Sequence, residues 1–329
     1  MSVLVTGGAG YIGSHMVLEL LDAGETVVVL DNLSTGFWWA VPSNVTLIKG
    51  DMGDEALVLE TIKNYNITSI IHFAAKIVVP ESVADPLGYY LNNTAKTRQV
   101  LDCAVKGGVK NFIFSSTAAV YGDVSTEPVA EDNELNPVSP YGRSKLMTEW
   151  MLQDTAFAHG LKYVILRYFN VAGADPKGRV GQSTPNATHL IKVACQAALG
   201  DRPALDIFGT DYPTPDGTCL RDYIHVCDLA KAHMDALRYL RAGGKSDVFN
   251  CGYGIGLSVQ EIADVVKKIS NVDFKVNLSP RRAGDPAAIV AKADKIHATL
   301  GWKPQYDNVE GIVRDAYAWE KHLKTRNDV

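Results

Sequence analysis

Nowhere in its 329 residues does the chain approach a run of 18 apolar residues, so no helical membrane span is expected. It also lacks an excess of positive charge. Its 32 Lys+Arg stand against 37 Asp+Glu, a formal net charge of −5, where a nucleic-acid binder would show a strong basic surplus. The one conspicuous basic pair, Arg281-Arg282, is too short to track a polyanion. Five cysteines, Cys103, Cys195, Cys219, Cys227 and Cys251, form an odd number without a Cys-x-x-Cys pair. Neither a zinc site nor a disulfide framework is expected, and no metal; buried thiols in a reducing compartment fit better. The opening MSVLVTGG has no basic region followed by a long apolar run, so no signal peptide is expected and the cytoplasm is the expected location. Asn-x-Ser/Thr triplets such as Asn44-Val45-Thr46 then carry no meaning. Internal repeats and low-complexity tracts are absent too.

What is present is the composition of an ordinary globular protein, 47% hydrophobic and 21% charged, long enough for one large or two moderate domains. Short apolar runs alternate with amphipathic ones. Strands are expected at Val3–Thr6, Thr26–Leu30, Val45–Lys49, Ser69–Phe73, Asn111–Ser115 and Tyr163–Arg167. Helices are expected over Gly13–Ala23, Tyr90–Lys106 (stopped by Gly107-Gly108) and from Tyr141 to about His159, closed by Gly160. Such alternation predicts an α/β fold, a doubly wound parallel (Rossmann) sheet with helices on both faces. After about Val171, clusters of Gly, Pro, Asp and Thr separate helical runs at Leu190–Leu199, Val226–Tyr239, Ser258–Ser270 and Val309–His322. The expected division is 1–170, a dinucleotide-binding domain, and 171–329, a smaller α/β substrate domain. Within the second, the 220–255 region, near Val248–Asn250, has the pattern to return a strand to the main sheet.

Residues 6 to 13 read TGGAGYIG, directly after the first strand and opening the first helix. Gly7, Gly8, Gly10 and Gly13 permit a tight turn and close backbone approach, so that a pyrophosphate sits on the helix N-terminus against free N–H groups and the helix dipole. Glycine-rich turns are common, and the strand–turn–helix context is what gives this one weight. Asp31 closes the second strand 18 residues after Gly13, the separation of a ribose-binding acid. A carboxylate there accepts hydrogen bonds from ribose hydroxyls and repels the extra phosphate of NADP. No arginine follows closely, so NAD is the expected cofactor.

In SPYGRSK, residues 139–145, Tyr141 and Lys145 are four apart and share a helix face. Alone they read as an exposed polar pair. A dinucleotide fold upstream, and Ser115-Ser116-Thr117 at the C-terminal end of the fifth strand, make them a candidate catalytic group, because ligands bind at that edge of open parallel sheets. A free tyrosine titrates near 10, and lowering it by about three units takes roughly 4 kcal/mol. One cation at about 6 Å and an effective dielectric of about 20 supplies on the order of 3 kcal/mol. Lys145 alone falls short; Lys145 with the positive ring of NAD⁺ suffices. Thr117 would donate or relay a hydrogen bond to the same substrate oxygen.

TGGAGYIG, SSTAAVYG and the YGRSK form of Tyr-x-x-x-Lys resemble the extended short-chain dehydrogenase/reductase superfamily. RYFNVAGA (167–174), IFGTDYPTPDGTCLRDYIHV (207–226) and PRRAGD (280–285) resemble the UDP-glucose (UDP-galactose) 4-epimerases, over nearly the whole chain. The resemblance implies that Tyr141 removes the proton of the sugar 4-hydroxyl while the C4 hydride passes to NAD⁺. The 4-keto sugar then turns about its diphosphate and takes the hydride back on its other face, with no net redox change. On the cofactor side it adds Tyr11, Ile12, Asn32, Asp51, Met52, Phe73, Ala74, Asn92, Ser115 and Tyr168; Asp51 would meet the adenine amino group, or be an ordinary loop aspartate. On the UDP-sugar side it implies Asn170, His189, Leu190, Leu205, Phe208, Arg221, Tyr223, Arg282 and Asp285. Arginines suit a diphosphate, and an aspartate can bind ribose hydroxyls. Without the resemblance, Arg221 and Arg282 read equally well as surface salt-bridge partners, and His189 as a core or surface histidine. It further implies a homodimer through the Tyr90–Lys106 and Tyr141–His159 helices, packed as a four-helix bundle. Val100, Leu101, Met147 and Met151 would serve either that contact or the core.

Dehydrating relatives carry an Asp-Glu pair directly after the threonine. This chain has Ala118-Ala119, whose methyl groups cannot move protons, which excludes a 4,6-dehydratase. Other departures are HFAAKIVVPES after the fourth strand, with Pro80 for glycine and Lys76 left without a role, and His189 where relatives have asparagine. Ile289 stands where the family's residue limits the size of the sugar, so N-acetylhexosamines are candidate substrates beside UDP-hexoses and UDP-pentoses. An NAD-dependent nucleotide-sugar reductase and a cofactor-sensing regulator are the alternatives; the double-arginine grip disfavours the first and the retained Tyr141 and Lys145 the second.

Overall fold

A computed structural model of the protein describes residues 2–124, 128–185, 187–282 and 285–326. In chain order the first ten strands are β1 (Ser2–Thr6), β2 (Thr26–Asp31), β3 (Thr46–Lys49), β4 (Ile67–His72), β5 (Asn111–Ser115), β6 (Lys162–Tyr168), β7 (Asn170–Ala172), β8 (Leu205–Phe208), β9 (Leu220–His225) and β10 (Asp247–Cys251). The six strands expected from sequence are all present, within two residues at their ends. Seven strands form one parallel sheet in the order β10-β6-β5-β4-β1-β2-β3.

Alternate residues of these strands point to opposite faces, and both faces are apolar, so both need a cover of helices. Val3, Val5, Val29, Ile71, Ile113 and Val164 share one core with the Tyr11–Asp22 and Val226–Arg241 helices. Leu4, Val28, Ile70, Phe112, Phe114 and Ile165 share the other with the Glu55–Asn64, Lys96–Lys106 and Pro140–His159 helices. Val100 and Leu101 are buried in this second core, which assigns them to the interior rather than to an outer contact. Strand order reverses between β1 and β4, and in open sheets a crevice opens at the carboxyl ends of such a pair.

The Pro140–His159 helix starts where local chemistry dictates. Ser139 accepts the Gly142 N–H at its N-cap, Pro140 takes the first turn, and Gly160, at φ 71°, caps the end in the left-handed region. Gly142 lets it approach the turn after β5, since a Cβ there would stand 2.6 Å from the Ala119 carbonyl oxygen. The Tyr90–Lys106 segment departs from the regular helix expected: Tyr90–Ala95 is a π-helical turn, and the α-helix proper begins at Lys96. Within that turn Asn93 bonds the backbone of Lys76 on both sides, accepting its N–H at 2.8 Å and donating to its carbonyl at 2.9 Å.

The remaining strands, β11 (Gly256–Ser258), β12 (Val276–Ser279) and β13 (Ala288–Ile289), build a second layer. β9 pairs with β7, β11 and β13, and β8 pairs with β12. The Leu190–Ala198, Val259–Ser270 and Val309–Leu323 helices enclose its core. Asp222, fully buried in β9, accepts backbone N–H bonds from Tyr253, Gly254 and Ala291 at 3.0, 2.9 and 3.2 Å. Three backbone donors offset the cost of burying the carboxylate and fix where β9 presents its neighbours Arg221 and Tyr223. No helix among the described residues is long and apolar enough to cross a membrane.

Candidate active site

The glycine turn lies at the β1–β4 crevice. Gly7 has φ +73°, and a Cβ on it would meet the Ala74 backbone nitrogen at 2.6 Å. A Cβ on Gly13 would run into the Gly7 carbonyl oxygen and stand 2.8 Å from the Gly8 Cα. Only glycine lets the chain fold back on itself at both points. Gly10 differs: its nearest neighbour for a Cβ is the Gly7 oxygen at 3.3 Å, and it caps the Tyr11–Asp22 helix without any side-chain bond. The first helical N–H groups therefore open onto a cradle kept clear of side chains, which suits a dinucleotide pyrophosphate. Tyr11 points away, its phenol donating to the Gly173 carbonyl at 2.7 Å, and Ile12 packs on the first core.

Asp31 ends β2 beneath this turn. Its carboxylate accepts the Ala9 N–H at 3.0 Å and the Leu33 N–H at 2.8 Å. Burial raises it, and these two bonds oppose the rise. Farther out, Asp51 accepts from Lys96 at 2.6 Å and from the Gly53 N–H at 2.8 Å, with Asn32 nearby. Burial pushes the Asp51 carboxyl up, but these donors outweigh it and leave it below the usual range. Met52 is buried in the second core, and Ala74 packs against it. Asn92 donates to its neighbour Asn93 at 3.1 Å.

At the C-terminal end of β5 the catalytic candidates meet. Thr117 Oγ1 accepts the Ala119 N–H at 3.1 Å, and its hydroxyl lies near the Tyr141 phenol. Lys145 Nζ donates to the Ser115 carbonyl at 2.8 Å and lies 4.8 Å from the centre of the Phe114 ring. Burial pushes the Tyr141 phenol up to about 12, against the nearby Thr117 hydroxyl that lowers it. Burial likewise pulls Lys145 down to about 7, with the Glu149 charge opposing. In the protein alone, then, the phenol keeps its proton, and Lys145 does not offset the effect of burial.

Ser115 anchors the other flank. His233 Nδ1 lies 2.8 Å from the Leu229 carbonyl, which can only accept, so that nitrogen carries the proton and Nε2 takes the Ser115 hydroxyl proton at 2.7 Å. Burial holds His233 neutral, at about 4. The Tyr168 ring lies 6.4 Å and the Phe73 ring 4.8 Å from that of His233. The sequence reading misses His233, whose only signal is a histidine on the apolar side of an amphipathic helix. It also misses Glu149, one turn beyond Lys145, and Arg167, a lone charge in the apolar run of β6.

In the second layer, Asn170, His189, Leu190 and Tyr223 line one narrow cleft of about 20 Å³ together with Gln182, Lys192, Trp319 and Glu320. His189 Nδ1 accepts from Gln182 at 2.7 Å, and Lys192 and Glu320 form a buried ion pair behind it. Burial lowers the His189 ring below its usual range, and the Lys192 charge adds to this. Phe208, Arg282 and Asp285 gather separately: the Arg282 guanidinium lies 4.5 Å from the Phe208 ring centre and donates to Asp285 at 3.1 Å. Arg221 pairs across β9 with Leu257 and Ile289. The Leu205 side chain does not join either group; it is buried in the second-layer core. Lys76, unassigned from sequence, reaches Glu81 and Asp85 on the surface. Among the described residues no cluster of His, Cys, Asp or Glu could hold a metal ion.

Residues 3–252 match the NAD dependent epimerase/dehydratase family. A UDP-glucose 4-epimerase of Azospirillum brasilense is 55% identical over 98% of this chain and 92% of its own length. The crystal structure of a Brucella ovis UDP-glucose 4-epimerase in complex with NAD superposes with a TM-score of 0.94 at 44% identity, covering 96% of this chain and 97% of that one. A UDP-Glc/GlcNAc 4-epimerase of Campylobacter jejuni gives a TM-score of 0.86 at 47% identity, covering 98% of this chain and 99% of that one.

Proposed function

The chain belongs to the NAD dependent epimerase/dehydratase family, among its UDP-glucose 4-epimerases, and from that membership we propose how its own residues carry out NAD-dependent 4-epimerisation of UDP-hexoses. Tyr141 takes the proton of the sugar 4-hydroxyl and later returns it to the same oxygen in the opposite configuration. Thr117 holds that oxygen from the side, and Lys145 supplies a cation one helical turn away, fixed on the Ser115 carbonyl. The observation that carries this reading is the approach of the Thr117 hydroxyl to the Tyr141 phenol, next to a lysine fixed on the Ser115 carbonyl. Bound NAD supplies the hydride acceptor and, when oxidised, a positive ring. Because burial holds the phenol near 12, bringing it to neutrality takes about five units, or about 7 kcal/mol, more than one lysine provides. The residues that would hold the cofactor are the Gly7–Gly13 turn with Tyr11 and Ile12, then Asp31 and Asn32 for the ribose and Asp51 and Met52 for the adenine end. Phe73, Ala74, Asn92, Ser115 and Tyr168 would surround the nicotinamide end.

For UDP, the cleft at Asn170, His189, Leu190 and Tyr223 and the Phe208–Arg282–Asp285 group would take opposite ends of the nucleotide, with Arg221 between them on β9. Leu205 would act at most through its backbone. Replacing Tyr141 by phenylalanine should abolish turnover of UDP-galactose while NAD stays bound; substantial remaining activity would refute the assignment.

A homodimer fits the outer faces of two helical stretches. Leu87 and Leu91 on one, and Met147, Trp150 and Phe157 on the other, are exposed, Phe157 by 95%. Met151 is half-buried against the core, so Met147 rather than Met151 would serve the contact. A cytoplasmic setting fits five free cysteines.

A second reading adds UDP-N-acetylhexosamines to the substrates. Ile289 is buried beside Ala118 and Phe169 in a small apolar cluster at this end of the sheet, and an aliphatic side chain there occupies less space than tyrosine. Turnover of UDP-N-acetylglucosamine tests it, and its absence would sink the idea.

A further inference from the structure

Glu149 sits on the Lys145 helix one turn farther from Tyr141 and is 1% exposed. Its carboxylate receives the Ser116 hydroxyl, the Arg167 Nε at 3.1 Å and the Arg167 Nη2 at 2.6 Å. Arg167 in turn lies 5.1 Å from the Tyr121 ring centre and donates to the Tyr121 oxygen at 3.1 Å and the Glu131 carbonyl at 3.2 Å. Tyr121 passes the chain on to Asn250 at 2.6 Å.

A buried arginine–glutamate pair is often no more stable than apolar residues of the same volume. This one lies directly under the catalytic candidates. Three consecutive residues at the end of β5 face the Lys145 helix: the Ser115 carbonyl holds Lys145, the Ser116 hydroxyl holds Glu149, and the Thr117 hydroxyl stands near the Tyr141 phenol. We propose that Glu149 is a positioning residue for the epimerase reaction: its carboxylate, oriented by Arg167, keeps Lys145 cationic and pins Ser116 so that Thr117 meets Tyr141. This rests on the reading of Tyr141 and Lys145 given above.

The groups facing Lys145 are Glu149 from its own helix, the Ser115 carbonyl and Phe114 ring from β5, and His72 from β4. Burial holds His72 neutral at about 3, with Lys145 adding to the depression, so it offers no negative charge. Glu149 itself faces Arg167 and Tyr163 on β6, Ser116 just after β5 and Tyr121 on the turn beyond. Lys145 is drawn down by burial and raised by Glu149. It acts as a cation only below its own pKa, so activity falls as pH rises through that value. Neutralising Glu149 lowers the value and moves the alkaline limb to lower pH. A unit charge about 6 Å away, partly offset by Arg167, corresponds to a shift on the order of one pH unit.

The test is the pH profile of kcat/KM for UDP-galactose, on NAD-loaded full chain, for the parent, Glu149→Gln, and a double variant Glu149→Gln/Arg167→Gln that leaves no unpaired buried cation. Melting curves and bound NAD establish that the variants are folded. The expected result is an alkaline limb lowered by about one pH unit in the double variant and by more in Glu149→Gln, where the Arg167 cation is left unopposed, a fall in kcat with KM little changed, and recovery of the limb in Glu149→Asp. Folded variants whose limb matches the parent overturn the proposal. A Tyr141→Phe variant run alongside separates the two ideas. If it stays active, the reading of Tyr141 falls and takes this inference with it; if it is inactive and the limb is unmoved, only the role of Glu149 is lost.

Discussion

Two glycines that sequence logic would treat alike, Gly10 and Gly13, should fail in different ways when given a methyl group. At Gly13 the new Cβ meets backbone atoms of Gly7 and Gly8, which cannot swing aside. Overpacking of that kind costs up to about 3 kcal/mol, while alanine in place of glycine in a helix recovers about 1 kcal/mol. The net loss is about 2 kcal/mol, which for a chain of this length lowers Tm by about 3 °C. At Gly10 the backbone is extended (φ −79°, ψ 176°) and open to any residue, and the nearest atom is 3.3 Å away. Gly10→Ala should therefore melt within about 1 °C of the parent. Yet its methyl group stands over the free N–H groups that a pyrophosphate needs, and NAD affinity should drop on the order of tenfold or more, about 1.4 kcal/mol. The assay is melting of NAD-stripped protein with and without added NAD, together with the NAD released per chain on denaturation. If Gly13→Ala melts like the parent, or Gly10→Ala retains a full complement of NAD with unchanged affinity, the cradle has been placed wrongly.

Two further outcomes follow from surfaces described above. Leu91→Glu with Trp150→Glu should convert the protein to a monomer by light scattering, and a dimer persisting in that variant rules the helical face out as the contact. Ile289→Tyr should cut turnover of UDP-N-acetylglucosamine while sparing UDP-galactose; equal loss on both substrates would show that this position does not select the sugar.

The parts of the site written in neighbouring residues were legible in the sequence. The glycine turn is one: its glycines, the strand before and the helix after lie in a dozen residues, and steric limits alone demand them. Tyr141 and Lys145 are another, four apart on one helix whose start, Ser139-Pro140, and stop, Gly160, are both local. What depends on distant partners was not legible. Glu149 finds Arg167 on another element, and Ser115 finds His233 118 positions away, with no pattern in either stretch to announce it. Asp222 stands between two residues read as substrate ligands, yet its carboxylate is spent on backbone amides of the loops around it. The short strands of the second layer escaped for the same reason, since each pairs with a segment remote in sequence. The Glu55–Asn64 helix is different. Asp54 caps it and Val58 and Ile62 face the core, so its signals were local and simply brief.

β10 shows how the two layers are joined. The chain leaves the main sheet after β6, builds much of the second layer, and then returns to lay Asp247–Cys251 beside β6 as the sheet's outer strand. A fragment ending at residue 170 would thus present β6 with its outer row of peptide groups bare, an invitation to pair with another chain. Nor could the second layer be traded for that of a relative by a single splice, since the graft would have to carry its own edge strand in register with the recipient's β6. Any change of substrate in this lineage is therefore expected through substitutions in place, at positions such as Ile289, rather than by exchange of a module.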